Sequence, residues 1–137
     1  MIPVAPSESG LDAPERCRLV SDVLSRIGDK WSVLVVMTLG DRPRRFNELK
    51  RAIGSISQRM LTLTLRGLER DGLVSRVVTA SIPPRVDYLL TPLGRSLRGP
   101  GDALGRWAIE HEADVRASRA AFDVTHGEAG WSERKSA

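Results

Sequence analysis

Side chains able to carry chemistry are scarce in this chain. One cysteine, Cys17, stands among 137 residues, which leaves no partner for an intrachain disulfide and no set of thiolates for a structural zinc site. The only histidines are His111 and His126, one on an apolar-striped segment and the other in the stretch that follows it. No phosphate-cradling glycine loop, metal-ligand spacing or nucleophile elbow occurs, and the carboxylates are scattered or stand beside arginines. A protein that is not an enzyme and needs no cofactor or metal is expected. Long apolar runs are missing too: Trp31 to Gly40 is about half of the ~20 residues a membrane span requires. The start, Met1 to Glu8, has neither the basic region nor the apolar run of a secretory signal. A soluble cytoplasmic protein is the expectation, and the lone cysteine suits a reducing compartment.

What is present is ordinary globular composition, 41% hydrophobic and 28% charged, in a length that fits one domain of about 100–150 residues with tails. The net charge of +4 is unevenly placed. Residues 42–85 hold ten basic and three acidic side chains, whereas the flanking stretches are acidic or nearly neutral. A basic middle third fits one face meeting a polyanion while the ends serve another purpose.

Residues 1–14 contain three prolines, a glycine and two serines without a hydrophobic period, so a flexible N-terminal tail is expected there. From Leu19 the pattern changes. Val20, Val23, Leu24 and Ile27 make a helical stripe that Gly28 ends. Lys30 to Leu39 is apolar nearly all round and β-branched, which fits a buried strand as well as a helix. Its length, the Asp29 cap and the Gly40/Pro43 stop favour the helix. Phe46, Leu49 and Ile53 define a third helix closing at Gly54.

A fourth begins at Ser57 as N-cap, turns Leu61, Leu65 and Leu68 inward, and stops at Gly72. Two helices joined by this tight turn form a helix-turn-helix unit. Residues 73–79 and 85–90 then read as strands around a Pro83-Pro84 loop, a hairpin wing. Thr91-Pro92 starts a final helix that Gly99-Pro100-Gly101 is expected to break or kink. Beyond it, Leu104, Trp107, Ala108, His111 and Val115 repeat at helical spacing to near Phe122. The fold class is therefore mainly α with a small β-hairpin wing. Its helical domain spans residues 15–123, with a C-terminal tail at 124–137.

The face of the fourth helix opposite its leucines carries Gln58, Arg59, Thr62, Arg66 and, at the edge, Arg70. Arginine can grip guanine with two prongs, glutamine can do the same for adenine, and the threonine methyl can touch thymine. Arg59 and Thr62 lie near the end that reaches base edges in this docking mode, while Arg66 and Arg70 suit phosphates. Arg44, Arg45, Lys50 and Arg51 stand where long cations meet the backbone, and Arg85 lies by the wing tip. A winged domain that binds protein or RNA would not need these arginines on a common side.

Six runs in order resemble the HxlR-type winged helix-turn-helix regulators of bacteria: Ile27-Gly28-Asp29-Lys30-Trp31, Arg45-Phe46-Asn47-Glu48-Leu49, Ile56-Ser57-Gln58-Arg59-Met60-Leu61-Thr62, Leu68-Glu69-Arg70-Asp71-Gly72-Leu73-Val74, Pro83-Pro84-Arg85-Val86-Asp87-Tyr88 and Leu90-Thr91-Pro92-Leu93-Gly94. The resemblance covers about Cys17 to Trp107. It implies a homodimeric transcription regulator on a palindromic or repeated double-stranded DNA operator, paired through its terminal helices, and a repressor on a palindromic operator is expected. Leu19, Val20 and Val23, with Leu104, Trp107, Ala108, His111 and Val115, are then the expected dimer interface, and Ser57 and Gln58 join the DNA-binding set. The resemblance also implies a possible effector: some members sense oxidants or electrophiles through a cysteine before the first helix, usually in a Cys-Pro pair. Here Cys17 precedes Arg18 and lies one residue further from Ile27-Gly28, about 100° around a helix. Flanking Arg16 and Arg18 favour a thiolate.

Overall fold

Four of the helices begin where a side chain accepts from a free amide of the first turn. In the computed structural model, which describes Gly10 and residues 12–127, helix α1 (Ala13–Ile27) opens with a reciprocal pair. The Glu15 amide donates to Asp12 Oδ1 at 2.8 Å, and the Asp12 amide donates to Glu15 Oε2 at 3.2 Å. The helix thus starts two residues inside the stretch expected to be a tail; most of that stretch, residues 1–9 and 11, lies outside the described residues. Helix α2 (Lys30–Leu39) resolves the strand-or-helix ambiguity. Asp29 accepts from both the amide and the hydroxyl of Ser32 at 2.9 Å, and this double cap sets a helical start that outweighs β-branched propensity.

Helix α3 (Phe46–Ile53) and helix α4 (Gln58–Arg70) follow. Ser57 Oγ accepts from the Met60 amide at 3.0 Å, and Gly72 leaves the helix at φ +78°, a conformation glycine adopts without strain. Strands β1 (Val74–Thr79) and β2 (Arg85–Leu90) pair antiparallel, from Val74 opposite Leu90 to Thr79 opposite Arg85. Helix α5 (Pro92–Ser96) is capped by Thr91, and helix α6 runs from Arg98 to His126.

The final helix breaks earlier than its composition implies. The interruption is a single turn at Leu97, and Gly99-Pro100-Gly101 lies within the first turn of α6. A proline there displaces no helical hydrogen bond, because amides of a first turn have no partner one turn back. Helix α6 also extends three residues into the expected C-terminal tail; residues 128–137 lie outside the described residues.

The chain divides into two compact units, Met1–Gly101 and Asp102–Ala137. In the first, Val35, Val36, Leu39, Leu49, Ile56, Leu61, Leu65, Leu68, Leu73, Val74 and Leu90 form one buried cluster, with Phe46, Ile53 and Tyr88 packed against it. Every helix of the helix-turn-helix and both strands contribute, so burial of this cluster fixes the position of α4 relative to the wing. The second unit is the body of α6. No helix among the described residues is long and apolar enough to cross a membrane.

Candidate nucleic-acid interface

Helix α4 buries one side and frees the other. Leu61, Leu65 and Leu68 are at most 2% exposed, while Gln58, Arg59, Thr62, Arg66 and Arg70 are all exposed. The i, i+4, i+7 stripe enforces this: once the leucines join the core, the residues between them point away from it. Thr62 Oγ1 donates to the Gln58 carbonyl at 2.9 Å, which engages its hydroxyl proton. Ser57 is exposed at the N-terminal end of the same face, its oxygen engaged in the cap.

Two clefts border the wing, one of them shared with α4. One, of about 540 Å³, is lined by Thr62, Leu65, Arg66, Glu69 and Arg70 of α4 and by Arg76 and Tyr88 of the hairpin. Among the described residues Arg66, Arg70 and Arg76 make no ion pair, so three guanidinium groups share one cleft with a single carboxylate. The other, of about 570 Å³, lies between the start of α3 and the wing and includes Arg45, Arg51 and Arg85. Each cleft holds one carboxylate, Glu69 in the first and Glu48 in the second, against three arginines, and an excess of one sign of charge in a cleft concentrates field and attracts polyanions.

The remaining sequence-predicted cations differ in their surroundings. Arg45 is exposed at the start of α3, and Lys50 is half-buried on it. Arg44 is half-buried and its Nε is enclosed without a hydrogen-bond partner among the described residues. Arg85 is paired with Asp87, Nε to Oδ2 3.0 Å, a partner two residues along the same strand and so on the same face. Sequence reasoning missed Arg76 as a site residue. The alternation Val74, Arg76, Val78 already put it on the face that Val74 turns toward the core.

The expected dimer residues are apolar and wet. Leu19 and Val23 of α1 are exposed, and Val20 is half-buried. On α6, Leu104, Trp107 and Ala108 are exposed, while His111 and Val115 are half-buried. The Trp107 and His111 rings stack at 4.6 Å between centroids, and His111 Nδ1 lies 2.9 Å from the Trp107 carbonyl oxygen. Cys17 is exposed on α1 with a free thiol.

The HxlR-like helix-turn-helix family matches residues 26–115. An HTH-type transcriptional regulator of Methanothermobacter thermautotrophicus is 49% identical over 88 residues, 64% of this chain and 67% of the relative. The HTH-type regulator YtfH of Escherichia coli is 37% identical over 98 residues, 72% of this chain and 78% of the relative. Among solved structures, the redox regulator HypR in its reduced form aligns with a TM-score of 0.67 at 39% identity, over 72% of this chain and 98% of that one. The transcriptional regulator YtfH from Salmonella typhimurium gives 0.67 at 37% identity, over 74% and 90%. The matched residues take in the helix-turn-helix, the wing and the start of α6, and the chain belongs to the HxlR-like helix-turn-helix family of transcriptional regulators.

Proposed function

We propose that this chain is a sequence-specific repressor that binds double-stranded DNA as a homodimer on a palindromic operator in the cytoplasm, at the nucleoid. The observation that carries this reading is the exposed face of α4, Gln58, Arg59, Thr62 and Arg66, backed by a buried leucine stripe and bordered by an arginine-lined cleft, with a second such cleft between α3 and the wing. Arg59 and Thr62, near the helix N-terminus, read base edges, and Gln58 joins them. Ser57, Arg44, Arg45, Lys50, Arg66 and Arg85 hold the phosphate backbone. Pairing through Leu19, Val20 and Val23 and through Leu104, Trp107, Ala108, His111 and Val115 sets two α4 helices in successive major grooves about 34 Å apart. Repression then follows from occupancy of a promoter.

Titration of a duplex selected from a random pool, against an unselected duplex, tests the reading. A dimer neutralising about 6–10 phosphates loses roughly 10³–10⁵ in affinity between 50 and 200 mM salt and prefers the selected duplex. A salt-independent response with no duplex preference would overturn it.

A redox response at Cys17 extends the proposal. The thiol is exposed on α1, and HypR, at 39% identity, is named a redox regulator. Mass spectrometry after mild peroxide or quinone treatment should find Cys17 modified and operator binding altered. An unmodified thiol, with Cys17→Ser indistinguishable from wild type, ends the sensor role.

A further inference from the structure

Helix α4 points a leucine directly away from the core. At about 100° per residue, the buried stripe of Leu61, Leu65 and Leu68 faces one way, and Arg59, Leu63, Arg66 and Arg70, successively four, three and four residues apart, fall along the opposite line. Leu63 is 53% exposed. Arg59 stands one turn before it, and Arg66 and Arg70 stand one and two turns after it. All three arginines are exposed, and none makes an ion pair among the described residues. Thr62 lies to one side of this line, in the cleft shared with the wing. Met60, itself exposed, and Gly67, where an added Cβ would meet nothing within 4 Å, lie to the other. Among the described residues, that side of the helix is open.

A single exposed leucine is ordinary on a protein surface; its setting within a line of unpaired guanidinium groups is what selects a partner. An apolar protein surface docked there would bury those charges without counterions, at a cost that apolar contact does not offset. A duplex supplies the counterions, and in its major groove the apolar group on display is the C5-methyl of thymine. We propose that Leu63 is a base-reading residue: its side chain packs on a thymine methyl of the operator while the arginines on either side hold bases or phosphates. The inference rests on the DNA reading above and adds to it a specificity-determining residue outside the polar set. Four residues of helix advance about 6 Å and successive base pairs rise about 3.4 Å, so the thymine lies within about two base pairs of the base that Arg59 reads.

The test uses the full chain and the duplex selected from a random pool, with each thymine replaced in turn by deoxyuridine, which removes only the methyl. Fluorescence anisotropy gives Kd for each duplex. Wild type is expected to lose about fourfold at one thymine in that window, the worth of one buried methyl. Leu63→Ala should bind the thymine and uracil duplexes alike at that position, with its affinity for unselected DNA and its salt slope unchanged. Leu63→Met, which keeps an apolar side chain of similar volume, should retain most of the difference. Thr62→Ser, which removes the other methyl on the helix face, should leave that position untouched. A thymine–uracil difference that survives Leu63→Ala, one that Thr62→Ser abolishes instead, or a selected duplex with no thymine in the window would each overturn the proposal. So would a shift of Leu63→Ala towards monomer in analytical ultracentrifugation, which would put the leucine at a contact between subunits. Wild type that binds selected and unselected duplexes alike would sink the DNA reading and this proposal together; a preference for the selected duplex without any loss on uracil substitution would sink the role of Leu63 alone.

Discussion

The main chains of Arg44 and Tyr88 hold each other: the amide of each donates to the carbonyl of the other, both at 2.8 Å. At that point β2 is a middle strand, flanked by β1 and by the connection between α2 and α3. The bridge ties the base of the wing to the segment that leads into the helix-turn-helix. Arg44→Pro deletes one of the two donors and is expected to lower stability by about 1–3 kcal/mol in urea denaturation. Arg44→Ala keeps the donor and separates the bridge from the guanidinium. Equal stability of the two variants would show the bridge to be dispensable.

Leu65 and Leu63 stand on opposite sides of α4, 2% and 53% exposed. Leu65→Ala should cost about 2–5 kcal/mol through lost burial and a residual cavity. Leu63→Ala should stay within about 0.5 kcal/mol, as surface substitutions do. Denaturation midpoints of the two variants provide the comparison, and similar losses would contradict the burial pattern.

Gly94 packs against main chain. A Cβ built there would lie 2.0 Å from the Leu73 carbonyl oxygen, and backbone yields less readily than a side chain end. Gly94→Ala is expected to cost about 3 kcal/mol or more, read as a lowered melting temperature. Near wild-type stability would mean that α5 shifts freely.

Arg59 stands on the exposed face of α4, and Arg76 lines the cleft between that helix and the wing; if the DNA reading holds, the two make different contacts. Arg59→Ala should cost about 1–3 kcal/mol on the selected duplex and relax its sequence preference. Arg76→Ala should weaken selected and random duplexes alike and reduce the salt slope by about one. Uniform loss for Arg59→Ala would remove its base-reading role.

The proposed dimer surface has its own test. Leu104→Glu with Trp107→Glu places charge on two exposed apolar positions of α6. A monomer in analytical ultracentrifugation with weak operator binding is the expected outcome. A variant that stays dimeric would refute the interface.

The helix-turn-helix was readable because its signals are local and agree: Ser57, the leucine spacing and Gly72 bound α4 within one residue, and Asp29 decided α2. Where signals conflicted, the reading slipped. Proline-rich composition hid the Asp12/Glu15 pair that starts α1, and Gly99-Pro100-Gly101 suggested a break that belongs to Leu97. The Arg85–Asp87 pair and Arg76 follow from strand alternation, a weaker pattern than a helical stripe. A cavity of about 330 Å³ lined by Val23, Ile27, Leu73, Leu93 and Leu97 was not readable, since its walls come from α1, the approach to β1 and α5, and no local period records that meeting.

Thr91 joins three elements through one oxygen. Its Oγ1 donates to the Gly72 carbonyl at 2.5 Å and accepts from the Gly94 amide at 3.0 Å, while its own amide donates to the Leu73 carbonyl at 3.0 Å. The end of α4, the far end of the wing and the start of α5 are therefore tied to one another. They open as a single cooperative unit, and amide protons of Thr91 and Gly94 exchange with deuterium at a shared free energy of opening.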